Sequence, residues 1–201
     1  MCLSEEKPSV VASINISGGG IMSPKGPHEK IIHQLCREIL IPHGVFQRGT
    51  SRVYIDDNGF FFTVIEFQPS AGAKGTYLNI ALHFLWNERD FLSYDFPFDS
   101  SRVKTFIEYQ NDEQFSEAVR LYVETALEYV MCYRKLCDAK MARKYLRKWR
   151  FKYRRNVRVK ELDIINVLDN EEIQEKISRS RAFWHSQPAM KKMKQDTVYD
   201  R

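Results

Sequence analysis

The chain has 201 residues, 43% hydrophobic and 28% charged, a balance that fits a folded globular protein and is too apolar for a disordered one. No apolar run approaches the roughly 18 residues that a membrane-spanning helix needs. The formal charge of +5 is unevenly placed: Arg134 to Lys160 hold thirteen Lys or Arg and one acid, Asp138, so these 27 residues carry +12 and the rest of the chain −7.

The opening Met1-Cys2-Leu3-Ser4-Glu5-Glu6 puts acid where an export signal carries base. Without such a signal, Cys2, Cys36, Cys132 and Cys137 read as reduced thiols, and a cytoplasmic location is expected. All nine glycines lie at or before Gly75, and the 90 residues between Pro97 and Pro188 contain neither glycine nor proline. A turn-rich half therefore precedes a helix-rich half. The expected fold class is α+β: an antiparallel sheet of three to five strands flanked by an N-terminal helix, then a basic helical C-terminal half.

In chain order, residues 1–26 read as an irregular leader with one short strand at Val10 to Ile16, interrupted by Gly18-Gly19-Gly20. Residues 27–110 form the α+β sheet domain. Its first element is a helix from Pro27 to Leu40, with Ile31, Ile32, Leu35, Cys36, Ile39 and Leu40 at helical spacing and Pro42 and Gly44 ending it. Strands follow at Arg52 to Asp56 and Phe60 to Gln68, joined by the turn Asp56-Asp57-Asn58-Gly59. A further strand, Thr76 to Leu85, alternates Leu78, Ile80, Leu82 and Phe84 with Asn79, Ala81, His83 and Leu85. Arg102 to Tyr109 supplies another.

Residues 111–185 are a helical region packed on the sheet or projecting from it. Asn111-Asp112 caps a helix in which Phe115, Val119, Tyr122, Ala126, Val130, Tyr133 and Cys137 recur every three or four residues. The pattern extends through Met141, Tyr145 and Trp149, and since a constant spacing of four drifts round a helix, a break near Asp138 is expected. A last helix starts near Asp169 or Asn170 and carries Ile173, Ile177 and Trp184; residues 186–201 read as a disordered tail.

The order of helix, Arg-bearing strand, hairpin and strand, with Phe46-Gln47-Arg48, Arg52-Val53-Tyr54, Phe67-Gln68-Pro69-Ser70 and Asn79-Ile80-Ala81-Leu82, resembles an uncharacterised bacterial domain family of unknown function. The resemblance covers about residues 28–110 and omits the basic half. It implies a small α+β domain and brings no established activity.

Metal chemistry finds little support. His28, His33 and Cys36 share the first helix, but no CxxC, HxxxH or HExxH occurs, and Cys132 and Cys137 stand about 140° apart round a helix. No metal or cofactor is expected. The triple glycine lacks the Gly-Lys-Ser/Thr of a phosphate loop, and a flexible leader accounts for it. More informative is one face of the sheet, where Asn79 and His83 would stand with Glu66 and Gln68, joined by Arg52 and Tyr54. Such a face suits a polar ligand or acid–base work, and an ordinary solvated sheet face has the same composition.

The basic segment is the firmest clue. Helical spacing sets Tyr145, Trp149 and Tyr153 in an apolar stripe beside Arg143, Arg147, Arg150 and Arg154, with Lys140, Lys144, Lys148 and Lys152 in an adjoining row. Cations beside aromatics suit a phosphate backbone; the competing account is a solvated face paired with acids such as Glu161, Glu171 and Glu172. The first functional expectation is a non-catalytic binding module engaging nucleic acid or an acidic protein surface. The second is a small enzyme or ligand-binding domain centred on Glu66 and His83. The family resemblance adds a third, a toxin-neutralising or defence-related interaction protein.

Overall fold

The computed structural model describes residues 26–96, 101–138, 140, 141, 144 and 170–190. At its centre lies a five-stranded antiparallel sheet whose sequence neighbours are its spatial neighbours. The strands are β1 (Phe46–Gln47), β2 (Val53–Asp57), β3 (Phe61–Gln68), β4 (Gly75–Phe84) and β5 (Arg102–Glu108). The fold is α+β, as the composition break implies. The strand expected at Val10 to Ile16 lies outside the described residues. β1 is two residues long, too short to leave a periodic signal.

Local chemistry sets the turns. β2 runs one residue further than the turn signal suggests, and Gly59 closes the hairpin at φ 89°, its N–H donating to Asp57 Oδ1 at 2.8 Å. A Cβ at Gly75 would overlap the carbonyl oxygen of Ile107, so glycine is what lets β4 begin against β5.

Helix α1 (Pro27–Ile39) opens on a proline, whose fixed φ suits the first turn, and buries Ile32, Leu35 and Cys36. In α2 (Asp112–Arg134) the Asn111 side chain accepts from Gln114 N, and Phe115, Val119, Tyr122, Ala126, Val130 and Tyr133 form its buried stripe. The break expected near Asp138 is present: α2 ends at Arg134, and after a short 3-10 turn Asp138 is extended, its Oδ1 accepting from Met141 N at 2.8 Å. Helix α3 (Glu171–Ser186) is capped by Asn170 and buries Ile177, Ser180 and Trp184.

These helices cover both faces of the sheet. Helices α1 and α2 pack together over the face carrying Tyr54, Asp56, Ile65 and Ile80; α3 covers the other, where the Trp184 ring meets Phe62 and His83. β3 is therefore buried from Phe61 through Phe67, and β4 is buried at every residue except Tyr77. The chain beyond Ser186 also departs from expectation. Gly49 N–H donates to Ala189 O at 2.9 Å and Met190 is buried, so residues 187–190 are part of the packed structure.

One ion pair fastens α2 to the sheet. The Arg134 guanidinium spans Asp56, Nη2 at 2.6 Å from Oδ1 and Nε at 3.1 Å from Oδ2, and Nη2 also reaches His43 O. Arg134→Gln should leave the buried Asp56 carboxylate short of a partner. The loss should fall at the low end of the roughly 3–5 kcal/mol typical of breaking a buried pair, because about a third of the Arg134 side chain is in water. Adding Asp56→Asn should restore part of that stability in chemical denaturation. A loss below about 0.5 kcal/mol with no recovery would make the pair a surface contact.

Candidate functional site

Strand alternation and register place the expected sheet residues. Glu66 pairs with Asn79 and Phe62 with His83 across β3 and β4, so Glu66, Gln68, Asn79 and His83 share one face, opposite Ile80 and Leu82. Arg52 and Tyr54 do not join them. Tyr54 pairs with Ile65 and points to the α1 side, where its hydroxyl lies 2.8 Å from His33 Nδ1. Arg52 also turns toward α1: its Nη2 donates to Glu29 Oε1 at 2.6 Å and to His28 Nε2 at 3.0 Å.

The four that do share a face separate into two clusters. At one end, Asn79 Nδ2 donates to Glu66 Oε2 (2.9 Å) and to Gln68 Oε1 (2.8 Å), while Tyr94 donates to the same Glu66 oxygen (2.7 Å) and Arg102 to Gln68 Oε1 (2.6 Å). Burial, then the Glu66 charge, push the Tyr94 hydroxyl far above the usual tyrosine range. The tyrosine is a fixed donor there and not a titrating acid. His83 stands four residues further along β4, about 13 Å away at the rise of a strand. Glu66 and His83 are thus not brought together.

At the His83 end the loop 85–96 folds back over the sheet. Ser93 Oγ lies 2.8 Å from His83 Nδ1 and 3.0 Å from Asp95 Oδ2, and the same carboxylate accepts from Phe84 N at 2.7 Å and pairs with Arg89 at 3.0 Å. Ser93 N–H donates to Nδ1 at 3.3 Å, which leaves the ring proton on Nε2. That nitrogen is buried without a hydrogen-bond partner among the described residues, beside the Trp184 ring, which stands nearly perpendicular at 5.5 Å. A serine, a histidine and an aspartate meet here, yet in the wrong order for nucleophilic catalysis. In a catalytic triad the carboxylate and the serine occupy opposite ring nitrogens. Here both lie on the Nδ1 side, and Nε2 is sealed beneath α3.

Ser93 and Asp95 escape a sequence reading because they join His83 from a loop with no periodicity, ten and twelve residues along the chain. The solvated-face alternative is also corrected: Asn79, Glu66 and His83 are all buried. Among the described residues no group of three or more His, Cys, Asp or Glu could hold a metal ion. No helix among them is long and apolar enough to cross a membrane. Of the basic segment, Lys140 and Lys144 are described and exposed. Arg143, Arg147, Lys148, Arg150 and Arg154 lie outside the described residues.

No protein-family model, curated protein or solved structure matches the chain.

Burial pushes His83 down to about 4, a shift that Asp95 opposes and Arg89 assists. The folded state therefore holds the imidazole neutral, while the unfolded chain binds a proton near pH 6.5. Between these values the unfolded state carries more protons, so stability is complete above about pH 6.5 and falls as the pH drops toward 4. Thermal midpoints measured from pH 7 to 4.5 should show this decline in the wild type and a shallower one in His83→Gln. An equal slope in the variant would assign the acid sensitivity to other groups.

Proposed function

We propose that the chain is a non-catalytic binding module that engages nucleic acid through its basic segment, residues 134–160. The observation that carries this reading is charge concentration: thirteen cations and one acid within 27 residues of a chain whose remainder is −7. A segment of that density gains free energy on a polyanion by releasing condensed counterions. Tyr145, Trp149 and Tyr153, interleaved among the cations, add side chains on which bases stack.

The sheet supports the reading by offering little competition. Its polar side chains are spent on one another, and Glu66 and His83 lie at opposite ends of a covered face. Arg134, the first cation of the segment, is committed to Asp56, so binding starts beyond it. After the Asp138 turn, Lys140 and Lys144 are exposed.

The test separates binding from folding. Arg143→Gln, Arg147→Gln and Arg150→Gln, combined, should change stability by no more than about 0.5 kcal/mol each. Affinity for a mixed panel of DNA and RNA oligonucleotides should fall, and each lost phosphate contact should lower the slope of log affinity against log salt by roughly 0.7 to 0.9. Unchanged oligonucleotide binding, or none in the wild type, would overturn the reading. An acidic protein partner would then show itself as a slower on-rate in the triple variant, with a weaker salt dependence than a polyelectrolyte gives.

A further inference from the structure

The loop joining β3 to β4 is made of small residues, Ser70-Ala71-Gly72-Ala73, and ends in Lys74 before Gly75 opens β4. With His28 and Arg52 it lines an open pocket of about 420 Å³ beside the start of α1. Two cationic side chains, Arg52 and Lys74, are among its lining. Arg52, only 11% exposed, is held in place by Glu29, by His28 and by the carbonyl oxygen of Gly75 at 3.2 Å, and one proton of its Nη1 remains unspent.

The same contacts fix the state of His28. Arginine only donates, so His28 Nε2 accepts from Arg52 and the imidazole proton sits on Nδ1. Burial and the Arg52 charge both hold His28 below the usual histidine range, in keeping with a neutral ring. The Nδ1–H is buried and has no acceptor among the described residues, so it is not one of the groups exposed to the pocket. In the loop, Gly72 N–H is used by Ser70 Oγ, whereas the backbone N–H groups of Ala71, Ala73 and Lys74 and the Lys74 ammonium make no hydrogen bond or ion pair among the described residues. Glu29, the acid at this end of α1, is spent on Arg52.

We propose that this pocket binds the phosphoryl group of a small phosphate monoester. Unspent backbone amides on a turn of small residues, a lysine and an inner arginine are the donors that a tetrahedral anion with several acceptor oxygens satisfies, and the first turn of α1 adds the positive end of its dipole. The volume exceeds what inorganic phosphate needs and falls within the range of about 300–1,000 Å³ typical of small-molecule sites. No Phe, Tyr or Trp lines it, so the esterified part is small and polar, without a base to stack.

Isothermal titration of the full chain at fixed ionic strength tests the proposal, with glycerol phosphate, inorganic phosphate and uncharged glycerol as probes. The wild type should bind glycerol phosphate saturably and ignore glycerol. Lys74→Gln, a change at an exposed residue that leaves the thermal midpoint in place, should weaken glycerol phosphate binding about tenfold or more. The Arg143→Gln, Arg147→Gln, Arg150→Gln variant should bind it as the wild type does, which separates this pocket from the basic segment. Tighter binding of glycerol phosphate than of inorganic phosphate supports the ester. Equal binding of the two overturns it in favour of the free ion. Absence of saturable binding, equal affinity in Lys74→Gln, or loss of binding in the triple variant would overturn the site itself.

Discussion

The central strands β3 and β4 carry helices on both faces, so a polar side chain that points from them finds its partners inside the protein or stays unpaired at a cost. This constraint shapes most of what surrounds the sheet. Asn79 uses both amide protons, one on Glu66 and one on Gln68, and one Glu66 oxygen receives two donors. His83 brings Ser93 and Asp95 in from the following loop, and Asp95 in turn holds Arg89 and the Phe84 amide. The cost of leaving such groups unpaired, about 1–3 kcal/mol each, is large against the few kcal/mol by which a domain of this size is folded. Three buried polar atoms at the α3 interface remain without a hydrogen-bond partner among the described residues: His83 Nε2, Ser180 Oγ and Trp184 Nε1. Helices α1 and α2 leave one such atom each, His28 Nδ1 and Gln114 Oε1, so the penalty is concentrated under α3.

Two neighbouring carboxylates hold the covers on. Because successive side chains of a strand point to opposite faces, Asp56 and Asp57 at the end of β2 face different layers. Asp56 receives Arg134 from α2, and Asp57 receives Arg181 and His185 from α3, the histidine at 2.8 Å. The two clamps differ in strength. Asp56 is almost wholly buried with a bidentate partner, whereas the Arg181 side chain is about half exposed and its pair is screened by solvent. The asymmetry runs in the same direction as the unpaired atoms beneath α3.

Asp56-Asp57-Asn58-Gly59 reads as a turn because Asp, Asn and Gly favour turns, and the turn is there; the clamping role depends on helices arriving from 78 and 124 residues away. The same limit explains the sheet face. Alternation within β4 is legible because ten residues repeat it, and Asn79 and His83 lie opposite Ile80 and Leu82 as that alternation requires. Which residues of β2 share that face is fixed by the hairpin register, which sets Val53, and not Tyr54, against Glu66. Arg52 and Tyr54 are for this reason misplaced by pattern alone. The covering of that face is equally hidden, since α3 buries few residues and shows a weak apolar stripe. By contrast α2 is legible end to end, from the Asn111 cap to the break before Asp138, because its stripe is regular over six turns and its cap is a local hydrogen bond.

The negative remainder of the chain raises the question of how its acids compare with a polyanion as partners for a cationic segment. Many of the described acids are already committed: Glu29 to Arg52, Asp56 to Arg134, Asp57 to Arg181, Glu88 to Arg179, Asp95 to Arg89 and Glu172 to Lys176. Helix α2 also carries Glu113, Glu117, Glu124 and Glu128, all exposed. These four carboxylates span about 22 Å at 1.5 Å per residue, one charge every 7 to 8 Å on average. Duplex DNA carries one charge per ~1.7 Å with its own condensed counterions, and exposed pairs more than about 8 Å apart are screened at physiological ionic strength. Duplex DNA therefore has roughly four times the linear charge density of this acidic row on α2, together with a counterion entropy that scattered carboxylates do not supply. On the proposed reading, charge density, more than the net charge of +5, is what would favour a polyanion as the partner of residues 134–160.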